Sequence, residues 1–463
     1  MYFNFSTRIL LIISLLAAKI YYSQVWSKAN SSTEVDPPNI LIILTDDQGY
    51  HDVSYYGTSD LYTPHIDALV KDGIRFDNFY ANCPVCSPTR AALLTGRYQE
   101  YVGVPGVIRT NPKNSWGFLD PEALMLPQLL AARGYHTALI GKWHLGLQSP
   151  NTPNERGFAF FHGWLGDMMD DYVQKRRHDI NYMRENEETI DLPGHATDLF
   201  TQWSVDYIKE RAVQESPFFL YLAYNAPHFP VQPPEEWLEK VRARDSTLTE
   251  KRAKLIAFIE HLDSGIGKVV EALKESGQYE NTIIVFSSDN GGLLADEANN
   301  GPYRDGKQSL YEGGLRVPTS VTWRNVIQPG SATEHVSLSM DIFPTLLDLC
   351  DVDLPTQIEG RSFAPVLTGG SVDHAKRPFF FSRREGGARY GGLTIQAVRL
   401  GKWKLLQNSP FTPQELYDLS ADPREQHNVI DKYPEVYKKL NALLMAHLQK
   451  GGEVPWQSAK SDE

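Results

Sequence analysis

The stretch Asn39-Ile40-Leu41-Ile42-Ile43-Leu44-Thr45-Asp46-Asp47-Gln48-Gly49 opens with six residues that are apolar after the first and rich in β-branched side chains. A continuous run of this kind, without polar alternation, predicts a strand buried on both faces, as in a parallel sheet covered by helices. It stops abruptly at two aspartates and a turn. A second run behaves the same way: strand character over 282–287 ends in Asp289-Asn290-Gly291-Gly292. In open α/β sheets, ligands gather beyond the carboxyl ends of the strands. Three carboxylates and one amide oxygen, with no thiolate or imidazole beside them, suit a hard cation such as Ca²⁺. Capping and turn formation account for either pair taken alone.

Around these two runs the pattern alternates. Strands are expected over 136–140 and 217–224. Helices are expected over 63–72, 88–95, 126–133 and 198–214, the first of them opened by Thr63-Pro64. Alternating strands and helices predict an α/β domain with a mostly parallel sheet. After about residue 375 the texture changes to short strands at 395–399 and 403–406, separated by Leu400-Gly401-Lys402, and an amphipathic helix over 435–449. The expected organisation is a large α/β domain over 38–375 and a C-terminal α+β subdomain over 376–463.

The chain has 463 residues, 41% of them apolar and 22% charged, with a net charge of -12. That balance argues against nucleic acid as a partner, which needs a basic footprint. A site for an anion must then concentrate its own positive charge. At the start, Arg8 precedes the apolar run 9–18, Lys19 interrupts it, and Ser27-Lys28-Ala29 offers small residues for cleavage. This layout predicts an export signal over 1–29 and a secreted or periplasmic protein with no stable membrane span after cleavage. An uncleaved anchor is the alternative. Three cysteines do not make a disulfide framework. Cys350, in the apolar run 342–350, reads as a buried small hydrophobe.

Cys86 stands at the entrance to an expected helix, in Cys86-Ser87-Pro88-Thr89-Arg90. A helix N-terminus offers free N–H groups and partial positive charge to an anionic nucleophile or oxyanion. Arg90, four residues on, faces the same side. On this basis alone Cys86 is either a reactive thiolate or a structural cysteine, and Cys83 adds a C-x-x-C spacing that also fits redox chemistry.

The segment Cys86 to Arg90 resembles the C-x-P-S/T/A-R signature of the formylglycine-dependent (type I) sulfatases of the alkaline phosphatase superfamily, with Thr89 where Ser is commoner. Thr95-Gly96-Arg97 continues it, and Gly134-Tyr-His-Thr-Ala-Leu-Ile-Gly-Lys-Trp-His-Leu-Gly146 resembles the family's second signature. Asp46-Asp47, Ala226-Pro227-His228, Asp289-Asn290, Lys307 through Pro318, 341–347 and Glu415-Leu-Tyr-Asp-Leu419 fall in the family's order.

The resemblance implies an alkaline-phosphatase-like fold and oxidation of Cys86 to formylglycine (3-oxoalanine) by a maturing enzyme. One hydroxyl of the hydrated aldehyde would attack sulfur, and the other would then release sulfate. It further implies Asp46, Asp47, Asp289, Asn290 and modified residue 86 as Ca²⁺ ligands, and Arg90 as the group orienting the aldehyde. His144 would be the base, Lys142 a contact to residue 86 and sulfate, and His228 and Lys307 the pair at the leaving oxygen, either serving as general acid. Lys142 and His144 share a face if the chain is extended there.

The expected substrates are sulfated polysaccharides or oligosaccharides, such as algal ulvan, carrageenan or glycosaminoglycans. Trp116, Trp164, Trp203 and Trp237 are available for stacking on sugars, or for packing. Arg176, Arg177, His178 and Arg383-Arg384 are candidates for neighbouring anionic groups, or for solvated loops. The rival functions are a phosphonate or phosphodiester hydrolase with the same aldehyde, and a non-catalytic protein that binds sulfated glycans.

Overall fold

Ile40, Ile42 and Leu44 belong to one hydrophobic cluster, whereas Leu41 and Ile43 belong to another. The strand Asn39–Thr45 therefore feeds two cores at once, which is why its sequence shows no alternation. In a computed structural model, which describes residues 36–386 and 393–457, this strand lies at the centre of a ten-stranded mixed sheet. Its neighbours are Phe218–Ala223 and Thr282–Ser288, both parallel to it. His136–Lys142 and Phe160–Trp164 continue the parallel run on one side. On the other side Thr319–Thr322 pairs antiparallel with Thr282–Ser288.

Helices cover both faces. Ala91, Leu93 and Leu94 of the helix Cys86–Thr95 pack into the first cluster. Phe200 and Ile208 of Ala196–Arg211, with Phe258, Leu262 and Ile266 of Glu250–Glu275, pack into the second. The expected large α/β sheet flanked by helices is present. Its longest helix, Glu250–Glu275, is missing from the sequence reading.

Strands Pro378–Arg384, Thr394–Leu400, Trp403–Gln407 and Glu415–Asp418 form the expected smaller antiparallel sheet. Here the period is two. Ala397, Leu406 and Tyr417 face the main body, while Val398, Leu405 and Leu416 face Leu440 and Leu444 of the helix Pro434–Gly451. The described residues from Asn39 onward cluster as one compact unit. The expected signal over 1–29 lies outside the described residues, and among those described no helix is long and apolar enough to cross a membrane.

A buried ionic knot ties the smaller sheet to the short helix Glu312–Leu315 of the main body. Lys404 donates to Glu312 at 2.9 Å and lies 2.9 Å from Glu425, with all three side chains out of solvent. Burial opposes ionisation of Glu312, but Lys404, Arg316 and Arg399 outweigh it and hold its carboxyl well below the usual range. Burial dominates at Glu425, which is pushed up to about 7. Lys404→Met is expected to cost about 3–5 kcal/mol, because it leaves buried carboxylates without their shared cation. Urea unfolding measures this, and a negligible change would mean that the knot carries no stability.

Candidate active site

Strand register assembles the site. Leu44 pairs with Ser287 and Thr45 with Ser288, so Asp46 and Asp289 leave adjacent strands at the same level. Leu44 and Gly141 both pair with Ala223, which brings Lys142 to that end from the other side. Gly141 has φ +106°, and a Cβ there would meet the Ala223 carbonyl oxygen at 2.0 Å. Only glycine lets the strands approach so closely. Past Lys142 the chain is not extended: His144 has φ 62°. The strand ends between Lys142 and His144, so the condition for their sharing a strand face is not met, although both reach the site.

Asp46, Asp47, Asp289 and Asn290 are all buried. Lys142 Nζ donates to Asp46 Oδ2 at 2.5 Å, and Lys307 Nζ donates to Asp47 Oδ2 at 2.6 Å. Arg90 clamps Asp289 Oδ2 through Nη2 at 2.7 Å and Nε at 3.0 Å, and its Nη1 donates to the Lys142 carbonyl at 3.2 Å. His228 Nε2 lies 3.6 Å from Asp47 Oδ2. Burial opposes ionisation of Asp46, but Lys142, His228, Arg90 and Lys307 together keep its carboxyl far below the usual range. Burial and the Asp46 charge push Asp289 up to about 7. Asp46 Oδ1 and Asn290 Oδ1 are buried acceptors without a hydrogen-bond donor. Crowded carboxylates and two orphaned oxygens are what a hard cation would satisfy, so this donor set fits Ca²⁺.

Cys86 is the first residue of its helix and is 4% exposed. Its Sγ lies within 4.8 Å of ligand atoms on Asp46 and Asp289, which are equally close to each other. Burial pushes the thiol up to about 11, although Lys142 and Lys307 pull the other way. Pro88 falls within the first turn, where the missing N–H costs nothing. Thr89 Oγ1 donates to the Cys83 carbonyl at 2.9 Å and accepts from the Cys83 N–H at 3.2 Å, anchoring the loop before the helix. Cys83 is itself a free, fully buried thiol raised well above its ordinary value, which leaves it poorly suited to redox chemistry. Cys350 is buried as expected and receives the Tyr135 hydroxyl at 3.2 Å.

His144 Nε2 lies 2.8 Å from the Ile108 carbonyl, which can only accept, so this nitrogen carries the hydrogen. Nδ1 has no hydrogen-bond partner. Burial, with Lys142 and Arg90, keeps the ring neutral by lowering its pKa well below the ordinary value. By the same reasoning His228 Nδ1 donates to the Phe229 carbonyl at 2.6 Å, which leaves Nε2 towards the site. Burial and Lys307 lower His228, whereas burial opposes the charge on Lys307 but Asp47, Cys86 and Asp46 together outweigh it and raise its pKa.

These groups open into a cleft of about 600 Å³, where Cys86, His144, His228 and Lys307 meet Arg109, Arg177, His178 and Arg383. Arg176 pairs instead with Asp191 at 2.5 Å, and neither it nor Arg384 lines the cleft. The named tryptophans do not line it either. Trp164 is fully buried, Trp203 stacks on His162, Trp237 lies beside His261, and Trp116 stacks on Trp456. Arg109 and the Ile108 carbonyl escape sequence reading, because the irregular loop that carries them has no periodicity to mark it.

The sulfatase family model matches residues 38–352, and a model described as N-sulphoglucosamine sulphohydrolase, C-terminal, matches 303–451. The chain is 33% identical to the N-acetylgalactosamine-6-sulfatase of Canis lupus familiaris, over 80% of this chain and 71% of that protein. It is 32% identical to arylsulfatase J of Mus musculus, over 87% and 74%. Among solved structures, Ps i-CgsB in complex with k-i-k-neocarrahexaose superposes with a TM-score of 0.83 at 30% identity, covering 92% of this chain and 96% of that one. A family match over more than half the chain and relatives above 30% identity make this protein a member of the type I sulfatase family, and so a sulfuric ester hydrolase.

Proposed function

We propose that the protein is exported to the periplasm or beyond the cell. There it removes sulfate from sulfated polysaccharides or their oligosaccharides, using formylglycine made from Cys86 and a calcium ion. The observation that carries this reading is the placement of Cys86. It heads the helix Cys86–Thr95 with Sγ within 4.8 Å of ligand atoms on Asp46 and Asp289, where an oxygen on residue 86 would meet the same cation as they do. The solved relative bound to a neocarrahexaose supports a sulfated glycan as substrate. Formylglycine at residue 86 would supply a hydrated aldehyde with one hydroxyl to attack sulfur and a second to release sulfate. Calcium held by Asp46, Asp47, Asp289 and Asn290 would lower the pKa of the attacking hydroxyl and neutralise charge on the sulfuryl group.

The chain's own residues do the rest. Arg90 is fixed by Asp289 and the Lys142 carbonyl, and orients residue 86 from beneath. Lys142 balances Asp46 and reaches towards sulfate. His144 is neutral, with its hydrogen on Nε2, so Nδ1 is the atom that takes a proton. Lys307 Nζ and His228 Nε2 stand 2.6 and 3.6 Å from the same Asp47 oxygen, so both face the leaving oxygen and either can serve as its general acid.

The test is a parallel assay of mature protein on an aryl sulfate, a sulfated oligosaccharide, a phosphodiester and a phosphonate ester. Sulfate release is expected to dominate. Efficient phosphodiester or phosphonate cleavage without sulfate release would overturn the assignment, and glycan binding without turnover would favour a non-catalytic role.

A further inference from the structure

Two guanidiniums in the cleft wall converge on one carboxylate. Arg109 Nη2 donates to Glu385 Oε2 at 2.5 Å, and Arg383 Nε donates to Glu385 Oε1 at 2.9 Å. The Val107 N–H also donates to Glu385 Oε1, at 3.3 Å. Arg109 Nη1 donates to the Asn114 carbonyl at 3.1 Å, so its fork is held at several points. Glu385 is 0% and Arg383 1% exposed, while the Arg109 side chain keeps 12% exposure at the rim. Burial opposes ionisation of Glu385, but Arg383 and Arg109 hold it ionised. The three groups therefore carry one positive charge between them. Arg177, on the opposite run, shares the same cleft with Asp167 and Asp170, and that trio carries one negative charge. The two arginine groups thus differ in what they offer to an anion.

The triad is also close to the reacting atoms. Arg109 follows Ile108, whose N–H donates to Ser87 Oγ at 3.1 Å and whose carbonyl receives the His144 hydrogen. Adjacent Cα atoms are about 3.8 Å apart, so this loop spans from the catalytic face to the triad in one residue. A guanidinium charge held in place at the cleft rim suits a charge-assisted hydrogen bond to a sulfate or carboxylate oxygen.

We propose that Arg109 and Arg383, braced by Glu385, form a second anion subsite. It would hold a further sulfate or a uronate carboxylate on the sugar that bears the scissile ester, or on the adjoining sugar. This rests on the reading of the cleft as a glycan sulfatase site. It makes the enzyme selective for substrates with more than one anionic group.

The test compares kcat/KM of mature wild-type and Arg109→Gln protein on three substrates: singly sulfated carrageenan oligosaccharides, doubly sulfated ones, and a monosulfated chondroitin disaccharide bearing a uronate. Wild type is expected to favour a substrate with the second anion, and whichever is favoured identifies sulfate or carboxylate as the ligand. Arg109→Gln is expected to shrink that preference by about 10- to 100-fold, the scale of a hydrogen bond to a charged group, with partial recovery in Arg109→Lys. Equal losses on all substrates, or no preference in wild type, overturn the subsite and leave the sulfatase reading intact. No sulfate release from these or from an aryl sulfate by wild type would overturn the sulfatase reading instead. A thermal melt checks that Arg109→Gln is folded. If it is not, Arg383→Lys, which keeps the charge and loses the fork, reads the same ratio.

Discussion

Cys86→Ala is expected to fold normally and to hydrolyse an aryl sulfate on the order of 10⁴-fold or more slower than the mature wild type, as for loss of any covalent nucleophile. The fold should survive because the change removes one small buried atom from the head of a helix whose core contacts come from Ala91, Leu93 and Leu94. Activity should not survive, because no neighbouring group can replace residue 86. His144 is positioned to take a proton, Lys142 and Arg90 are committed to Asp46 and Asp289, and Lys307 is paired with Asp47. The companion measurement is peptide mass spectrometry across residues 83–97 of active protein from its native host, where exchange of H₂S for oxygen marks the aldehyde. An intact thiol in fully active protein would sink the mechanism while leaving the fold untouched. Cys86 is 4% exposed in the folded chain. If formylglycine forms here, the enzyme that makes it would have to meet this segment before it is buried, and expression without that enzyme should yield folded, inactive thiol protein.

The central strands were legible because burial on both faces leaves an unbroken apolar run, and 39–44 and 282–287 each carry one. The acidic turns that follow them were legible only jointly, since capping and turn formation account for Asp46-Asp47 or Asp289-Asn290 alone and only their matching positions point to a cation. Glu250–Glu275 was missed because its sequence offers polar residues on its outer turns and buried polar residues, such as Glu260, His261 and Asp263, on its inner ones. Its amphipathic pattern is blurred where Asp263 caps another helix by accepting from the His65 and Ile66 N–H groups. Within the site, Lys142 and His144 would share a face only on an extended chain, and the left-handed turn at His144 is invisible to periodicity. The triad around Glu385 was half visible, as Arg383 in a basic pair. Its other half arrives from a loop some 270 residues away in sequence, and only tertiary folding brings them together.

Calcium should do two separable things, and the charge balance of the site explains both. Asp46, Asp47 and Asp289 are matched one for one by Lys142, Lys307 and Arg90, so without a cation the pocket is close to neutral. A neutral pocket has little attraction for a sulfate ester. A divalent ion would give the pocket two net positive charges and would occupy the orphaned Asp46 and Asn290 oxygens. It would also draw the Asp289 carboxyl down from about 7, since a nearby cation favours the ionised form.

Stripping the protein with a chelator is therefore expected to reduce sulfate-ester hydrolysis at least ~100-fold, the scale seen when a single charge-stabilising contact in an active site is lost. Adding Ca²⁺ should restore it, and Mg²⁺ should be a poor substitute because it demands a tighter octahedral shell. Independently of turnover, binding to the folded state alone should stabilise it by about 2.7 kcal/mol at a calcium concentration 100 times Kd, read as a rise in Tm. Asn290→Ala should weaken that rise while leaving the Lys142–Asp46 and Arg90–Asp289 pairs untouched, since its amide donates only to the Gly291 carbonyl and to Asp47 Oδ1, whose other oxygen Lys307 holds. A chelated enzyme that keeps its activity, with a Tm indifferent to calcium, would remove the ion from the mechanism. The sulfuryl charge would then fall to Lys142, Lys307 and Arg90 alone, and these are already spent on the three aspartates.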